Sequence, residues 1–533
     1  MFCIFTFSSQ LYILIMIKFC NFLKNNTLII FVLLFANSFG QNNTIKVVTD
    51  LGSNYDYSND IAIQNDGKVI QSGDAYGIPC MIRFDNNGVL DKTFGVDGII
   101  FATWSAGSNP AMGSVKIVQD NKILLGTSIY KSPNTSFILA RYDSSGSPDL
   151  TFGNTGHIIT SFGKFSSHCN TIAIQADGQI IAAGEINNSE VVNDDYNFAL
   201  VRYSENGAID STFGSNGIVT TVIGSHLSSP KSIAIQPDKK IIVAGEVWDD
   251  IFSDFVIVRY NSDGSLDTGF GNGGIVHTRI SETYDFARSV VIQPDGKILV
   301  AGSSQSSLSN YDFTIVRYNT DGSLDSTFGV NGIVITDIGQ DLGNEIVLLP
   351  DGKIILAGSS ATYASSGFAV LRFNSDGTLD KSFGDNGLIL NLFDLFHDSE
   401  GTCLALKNDG EIIVGGHINH GSPYYFDFAT LRLFSRLMVG VVDVNNEPSG
   451  IIAYPNPIEN EFGLSYTLTE AQRITIVLKD IYGRVQQIFL HENIRQSGLN
   501  TETLHLENKI SKGTYLLEIS GNIFIKSIKI IKG

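Results

Sequence analysis

The sequence predicts an all-β chain: a seven-bladed β-propeller of four-stranded blades over 41–436, a linker over 437–450, and a small C-terminal immunoglobulin-like β-sandwich over 451–533. Three observations predict it. A unit of close to 57 residues recurs seven times, each unit divides into four short strands bounded by turn residues, and the period stops after Asn445. A period of that length with four strands is a propeller blade, whereas a β-helix coil would be about half as long.

The first forty residues read as a targeting segment. Lys18 and Lys24 supply positive charge, Leu28–Ala36 is a nine-residue apolar run, and Ser38 and Gly40 place small residues before Gln41, the expected mature N-terminus. Nine residues fall well short of the ~20 that a bilayer span needs, so no transmembrane segment is expected in the mature chain. Met16 onward is a complete signal peptide by itself and offers an alternative start.

Two anchors define the repeat. An apolar run ends in Arg83, Arg141, Arg202, Arg259, Arg317, Arg372 and Arg432, spaced 58, 61, 57, 58, 55 and 60 residues. A turn of the form (N/P)DGK follows a second apolar run at the same step, centred on Gly67, Asn121, Gly178, Lys239, Gly296, Gly352 and Gly410. In the fifth unit the strands are 273–280 (A), 287–293 (B), 297–303 (C) and 313–318 (D), all rich in β-branched residues. B and C meet at Pro294-Asp295-Gly296, a tight hairpin in which Gly can supply positive φ. TFG or a variant places Phe94, Phe152, Phe213, Phe270, Phe328 and Phe383 between copies, where each ring is expected to fill the wedge between neighbouring blades.

If A to D form one sheet, 44–50 opens the first blade and 428–434 ends the last, and the ring meets at a blade boundary without a shared closing strand. Whether 437–444 adds a strand at that seam stays open.

The links NSDGSLD (261–267) and NTDGSLD (319–325) imitate calcium loops. With Gly264 at the sixth position of an EF-hand, the first and twelfth positions fall on Arg259 and Phe270, where the site needs acids. An Asx-turn suits them better, with Asp267 and its equivalents pairing locally with the repeated Arg.

The B–C turns and D–A links barely vary between copies, while the C–D loops at the other end all differ. Variable loops on one face of a repeat scaffold are where specificity would lie. Trp104 and Trp248, the two tryptophans of the chain, fall there, with Tyr424, Tyr425, Asp194 and Asp249. These are the candidate ligand-binding residues, and aromatics beside carboxylates suit a glycan or a protein partner. Asp249 and Asp250 in one blade and Asp194 and Asp195 in another also offer a carboxylate pair across the channel mouth, as a hydrolase or lyase would use, although acids are common enough for chance to place them there. There is no HExxH, GxSxG or P-loop, so no catalytic residue, cofactor or metal site is assigned.

The tail carries Tyr454-Pro455-Asn456-Pro457, then Asp480-Ile481-Tyr482-Gly483-Arg484, then Gly513-Thr514-Tyr515, and ends on a basic strand with Lys526, Lys529 and Lys532. These motifs, in this order over about 80 residues, resemble the type A C-terminal sorting domain of the Bacteroidetes type IX secretion system. The repeats, as in 310–329 (NYDFTIVRYNTDGSLDSTFG), resemble the delta-60 repeat family over about three quarters of the chain. The first resemblance implies Sec export, outer-membrane translocation by the type IX machinery and removal of the tail by a sortase, often with attachment to surface lipopolysaccharide. The second implies architecture more than activity. Together they imply a secreted or cell-surface protein: a binding or adhesion scaffold, with a glycan-active enzyme or a structural surface-layer component as the alternatives.

Composition narrows the classes further. The formal charge is −19, which argues against nucleic acid as a partner. Cys80, Cys169 and Cys403 of the mature chain are odd in number and widely spaced, so no disulfide framework is expected.

Overall fold

Short runs of Val, Ile, Leu and Phe, broken every six to nine residues by Gly, Asp and Asn, leave the chain one regular option, the antiparallel sheet. The computed structural model describes 44–433 apart from 103, 105–112, 133, 164, 188–195, 225–226, 250, 308–309, 363–364, 392, 394–396 and 420–424. It also describes Thr6–Phe7, Gln10–Leu11, 452–454 and 461–532 apart from 469–470, 481–484, 508–509 and 521–524. Among the described residues, 44–433 form seven four-stranded antiparallel sheets arranged like propeller blades. The innermost strands, beginning at Asp56, Ser114, Ser167, Ser228, Asp285, Gln340 and Ser399, contact one another in a closed circle.

The repeat unit and the sheet are out of phase by one strand. Strand A does not join its own B, C and D; it pairs with D of the preceding unit. Thus Ile275–Thr278 lies on Ser253–Tyr260, with Phe255 opposite Thr278. The cause lies in the link: Asp267 takes the chain through one tight turn directly back onto the strand it has just left. By the same rule Thr44–Thr49 has no preceding unit and pairs with Phe426–Leu433 of the last sheet, Val47 opposite Thr430. The expected boundary without a shared strand is therefore corrected: the N-terminal strand closes the seventh sheet. Residues 437–444 and the 437–450 linker lie outside the described residues, as do the proposed cleavage site at Gly40-Gln41 and Met16.

Each apolar core lies between two sheets rather than within one. Ile181, Leu200 and Phe213 of the third sheet pack with Val243, Val256 and Tyr260 of the fourth, and at the seam Val47, Ile413 and Phe428 pack with Ile61, Val69 and Ile82. The six link phenylalanines are buried in these wedges as expected. Cys80, Cys169 and Cys403 are free thiols within the cores, and burial pushes Cys169 up to about 12.

The repeated arginine staples sheet to sheet. Arg317 donates Nε to Asp325 at 2.8 Å, lies 4.4 Å over Phe328, and reaches the Ser375 carbonyl of the following unit at 2.6 Å. Arg141 makes the same three contacts with Asp149, Phe152 and Glu205. At the seam Arg432 bonds the Asn86 carbonyl of the first unit at 2.9 Å. The DGSLD pattern does not recur in the sequence after Arg432, and Glu411, standing where other copies have Lys or Gln, meets the guanidinium at 2.6 Å. The links themselves are Asx-turns: Asp321 Oδ1 accepts from the Ser323 N–H at 2.9 Å.

A β-bulge kinks six of the seven inner strands, at Asn59, Asn170, Lys231, Arg288, Asn344 and Thr402. It presses a carbonyl against the second strand, which explains the glycine of each (V/A/L)AG motif. A Cβ on Gly302 would lie 1.8 Å from the Phe286 oxygen. The bulged side chains stitch the axis: Asn170 and Asn344 donate to the Pro230 and Gly401 carbonyls, each at 2.9 Å.

The tail forms a separate body. Ile452–Tyr454, Glu461–Leu468 and Gly498–His505 make one antiparallel sheet, and Val485–Arg495, Gln472–Asp480, Gly513–Ser520 and Ile525–Lys532 another. Both contribute to one core that includes Phe462, Leu464, Ile476, Leu478 and Leu517. Among the described residues no helix is long and apolar enough to cross a membrane.

Candidate functional site

A run of five neighbouring aromatic rings lies where the fourth sheet meets the fifth, at the end of the variable loops. Trp248 ends the second strand of the fourth sheet, in register with Ser253. The loop into the next sheet runs alongside, and Tyr284 forms a parallel bridge to Ser253. This brings Tyr284 within 5.7 Å and Phe286 within 6.2 Å of the indole. Tyr284 and Phe286 stack at 6.1 Å with 12° between planes, Tyr311 follows at 5.7 Å from Phe286, and Phe252 closes edge-on against Tyr284. All five rings are half-buried. Trp248 Nε1 is buried and has no hydrogen-bond partner.

Charge borders the rings on two sides. Arg279 binds Asp254 and Asp249, each at 2.9 Å. The N–H groups of Phe252 and Ile251, with Arg279, hold the Asp249 carboxyl below the usual range. Arg288 lies 5.4 Å over Phe286. Stacked half-exposed rings rimmed by a fixed ion pair and a second guanidinium can take the apolar face of a sugar or a flat side chain, and hydrogen-bond its edges.

The other sequence candidates are spread around the ring. Trp104 donates Nε1 to Tyr142 Oη at 3.3 Å and stacks with His157, packed against the core between the first and second sheets. Tyr425 is exposed at the seam, beside a cluster of Tyr57, His417 and Phe426 whose centroids lie 4.7 to 5.3 Å apart. Burial keeps His417 below the usual histidine range, with Glu400 opposing. Asp194 and Tyr424 lie outside the described residues. Asp249 is held by Arg279, and whether it pairs with Asp194 lies outside the described residues.

Acids within the axis belong to the ring's own stitching. Asp60 accepts from Val115 N–H and Lys116 Nζ of the second sheet, at 2.8 and 2.9 Å, and Glu345 accepts from Leu404 N–H at 3.0 Å. Desolvation, with the nearby Asp60 charge, raises the Glu345 carboxyl above its usual range.

Sequence reading found Trp248 and Asp249 but not Tyr284, Phe286, Tyr311, Arg279 or Asp254. The signal existed: at the second position of the inner strand the fifth sheet has Phe286 where the fourth has Ser229. Only the one-strand phase shift puts that position beside the Trp248 loop. In the tail, Tyr454 ends its strand, Gly513 begins one and Lys529 stands opposite Leu516 on the terminal strand. Pro455, Asn456, Pro457 and Gly483 lie outside the described residues.

Comparison with known families gives two matches. Residues 64–94, 119–152, 175–213, 236–270, 293–328 and 349–383 match the domain of unknown function DUF5122 beta-propeller, and 452–533 match the secretion system C-terminal sorting domain. The second match supports the type IX machinery as a partner and export to the surface or medium; it does not support the sortase. No curated protein sequence matches the chain. Among solved structures, virginiamycin B lyase from Staphylococcus aureus is 12% identical, covering 74% of this chain and all of that one, with a TM-score of 0.44. The polysaccharide lyase Uly1 is 10% identical over 72% of this chain and 91% of that one, with a TM-score of 0.43. An ulvan lyase of family PL25 is 11% identical over 71% and 94%, with a TM-score of 0.42. Likeness at this level carries no statement about chemistry.

Proposed function

From a chain that carries DUF5122 propeller repeats and a type IX sorting tail, we propose a secreted or cell-surface scaffold that binds a glycan on the variable face of a seven-bladed ring. Residues 1–40 direct Sec export with Gln41 as the mature terminus, 41–436 form the ring, 437–450 link, and 451–533, an immunoglobulin-like module, address the type IX machinery. The observation that carries the binding reading is the half-buried array of Trp248, Tyr284, Phe286 and Tyr311. Stacking on such rings contributes about 0.5–1.5 kcal/mol per pair beyond area burial.

A glycan array probed with the exported protein tests the reading. Trp248→Ala is expected to weaken binding at least about tenfold, the loss of roughly 1.4 kcal/mol, with no turnover of the bound glycan. Binding unchanged in both Trp248→Ala and Phe286→Ala would end it. N-terminal sequencing of the exported chain, expected to begin at Gln41, tests the export reading separately.

A further inference from the structure

Three junctions between sheets carry buried aspartates, and they differ in one position. Phe255 stands opposite Thr278, Phe313 opposite Thr336, and Phe428 opposite Thr49. Next to these equivalent pairs stand Asp254 with Arg279, Asp312 with Asp337, and Asp427 with Asp50. An aspartate near the start of the following inner strand completes each group as its third member: Asp285 opposite Ser304, Asp341 opposite Ser360, and Asp56 opposite Ala75. At the first junction Arg279 supplies positive charge and bonds Asp254 at 2.9 Å. At the other two, three carboxylates converge, with their oxygens within 4.8 Å of one another. Two neighbouring junctions, with Ser136, Ser161 and Ser167 or Asn197, Val222 and Ser228 at these positions, carry no acid at all. The acids therefore occur as groups.

A second observation singles out one group. Asp341 is fully buried; its Oδ2 accepts from the N–H groups of Ile338 at 2.9 Å and Gly339 at 3.4 Å, while its Oδ1 has no hydrogen-bond partner. Desolvation raises the Asp341 carboxyl above its usual range, with the Ser360 hydroxyl across the strand opposing, yet that Oγ makes no hydrogen bond of normal geometry. Asn310 Nδ2 is shared between Asp312 Oδ1 at 3.0 Å and Asp337 Oδ1 at 3.5 Å. One neutral amide thus serves two of the three acids, and Asp341 keeps a buried oxygen without a hydrogen bond. At the seam, by contrast, Asp56 receives the Leu51 N–H and the Ser53 hydroxyl, and nothing is assigned there.

We propose that Asp312, Asp337 and Asp341 bind a divalent cation of the calcium class, in the place that Arg279 fills one junction earlier. The donors are all hard oxygens on strand ends and a short loop, which suits the flexible six- to eight-oxygen shell of Ca2+ better than the strict octahedron of Mg2+. Waters and loop carbonyls complete the shell at the exposed Asp337 side.

Terbium luminescence and thermal unfolding of the full chain test this. Tyr311, adjacent in sequence to Asp312, is the expected sensitiser, and Ca2+ is expected to displace Tb3+ and to raise the melting temperature by at least ~2 °C at millimolar concentration. Asp337→Asn should weaken Ca2+ binding about tenfold or more. Asp337→Arg, which copies the first junction at an exposed position, should abolish the response and raise the melting temperature measured in chelator. The proposal is overturned if the wild type ignores Ca2+, or if Asp337→Arg responds to Ca2+ as the wild type does. A lower chelator melting temperature for Asp337→Arg, with Asp341→Asn unchanged, would likewise count against it.

Discussion

Arg317 meets a carboxylate, an aromatic face and a carbonyl of the next unit with one planar group, which a lysine could not do. The carboxylate, Asp325, is 4% exposed. Desolvation works against its charge, but Lys297, the Thr327 hydroxyl and N–H, and Arg317 together hold its carboxyl well below the usual range. Its folded pKa is thus below its unfolded one. The stabilisation is complete above the ordinary carboxylate range and is lost as pH falls through the folded value. Asp325→Asn leaves Arg317 buried without its counter-charge and is expected to cost about 3–5 kcal/mol at neutral pH. The cost should shrink as the wild type is taken into strong acid. Urea midpoints at pH 7 and pH 3 check this; equal losses at both would show that packing, not charge, sets the effect.

At the level of the strand, the closing segment bears most on stability. Val47 is 5% exposed and packs with Cys403, Ile413 and Phe428 of the last sheet and Ile61 of the first. Val47→Asp puts an unpaired charge in that core and should detach Thr44–Thr49. Hydrogen exchange is expected to show protection lost across Ser399–Leu406 and Phe426–Leu433 while Ile241–Trp248 keeps its own. Uniform loss around the ring would contradict a local latch. Much of this was legible in the sequence: the strands, the DGK hairpins, the link phenylalanines and the Arg–Asp pair all follow from the 57-residue pattern. The partner of strand A was not, because a repeat has no intrinsic origin. The same unit read from strand B gives the same sequence period and a different sheet. The aromatic array was hidden for the same reason, since Phe286 and Trp248 belong to different units and meet only across a junction.

For the molecule as a whole, a charge of −19 sets a long-range preference. An acidic polysaccharide approaching the variable face meets repulsion that salt screens, with a Debye length of about 8 Å at physiological ionic strength. A neutral glycan does not. Association with a neutral glycan is therefore expected to change little between 20 and 500 mM salt, roughly within twofold, while any acidic glycan should bind faster as salt rises. Surface plasmon resonance across that range checks the difference, and faster binding of acidic glycans at low salt would point to a local basic site stronger than the net charge.

The pairing of Thr44–Thr49 with Phe426–Leu433 also orders events in time. The first strand of the ring to emerge is the last to find its place, since its neighbour is made hundreds of residues later. Until then one sheet lacks its rim and the circle stands ajar. Loop closure over so long a chain is slow, and unpaired strand edges invite misassociation meanwhile. Such a chain gains from being held unfolded until both of these strands have arrived in one compartment.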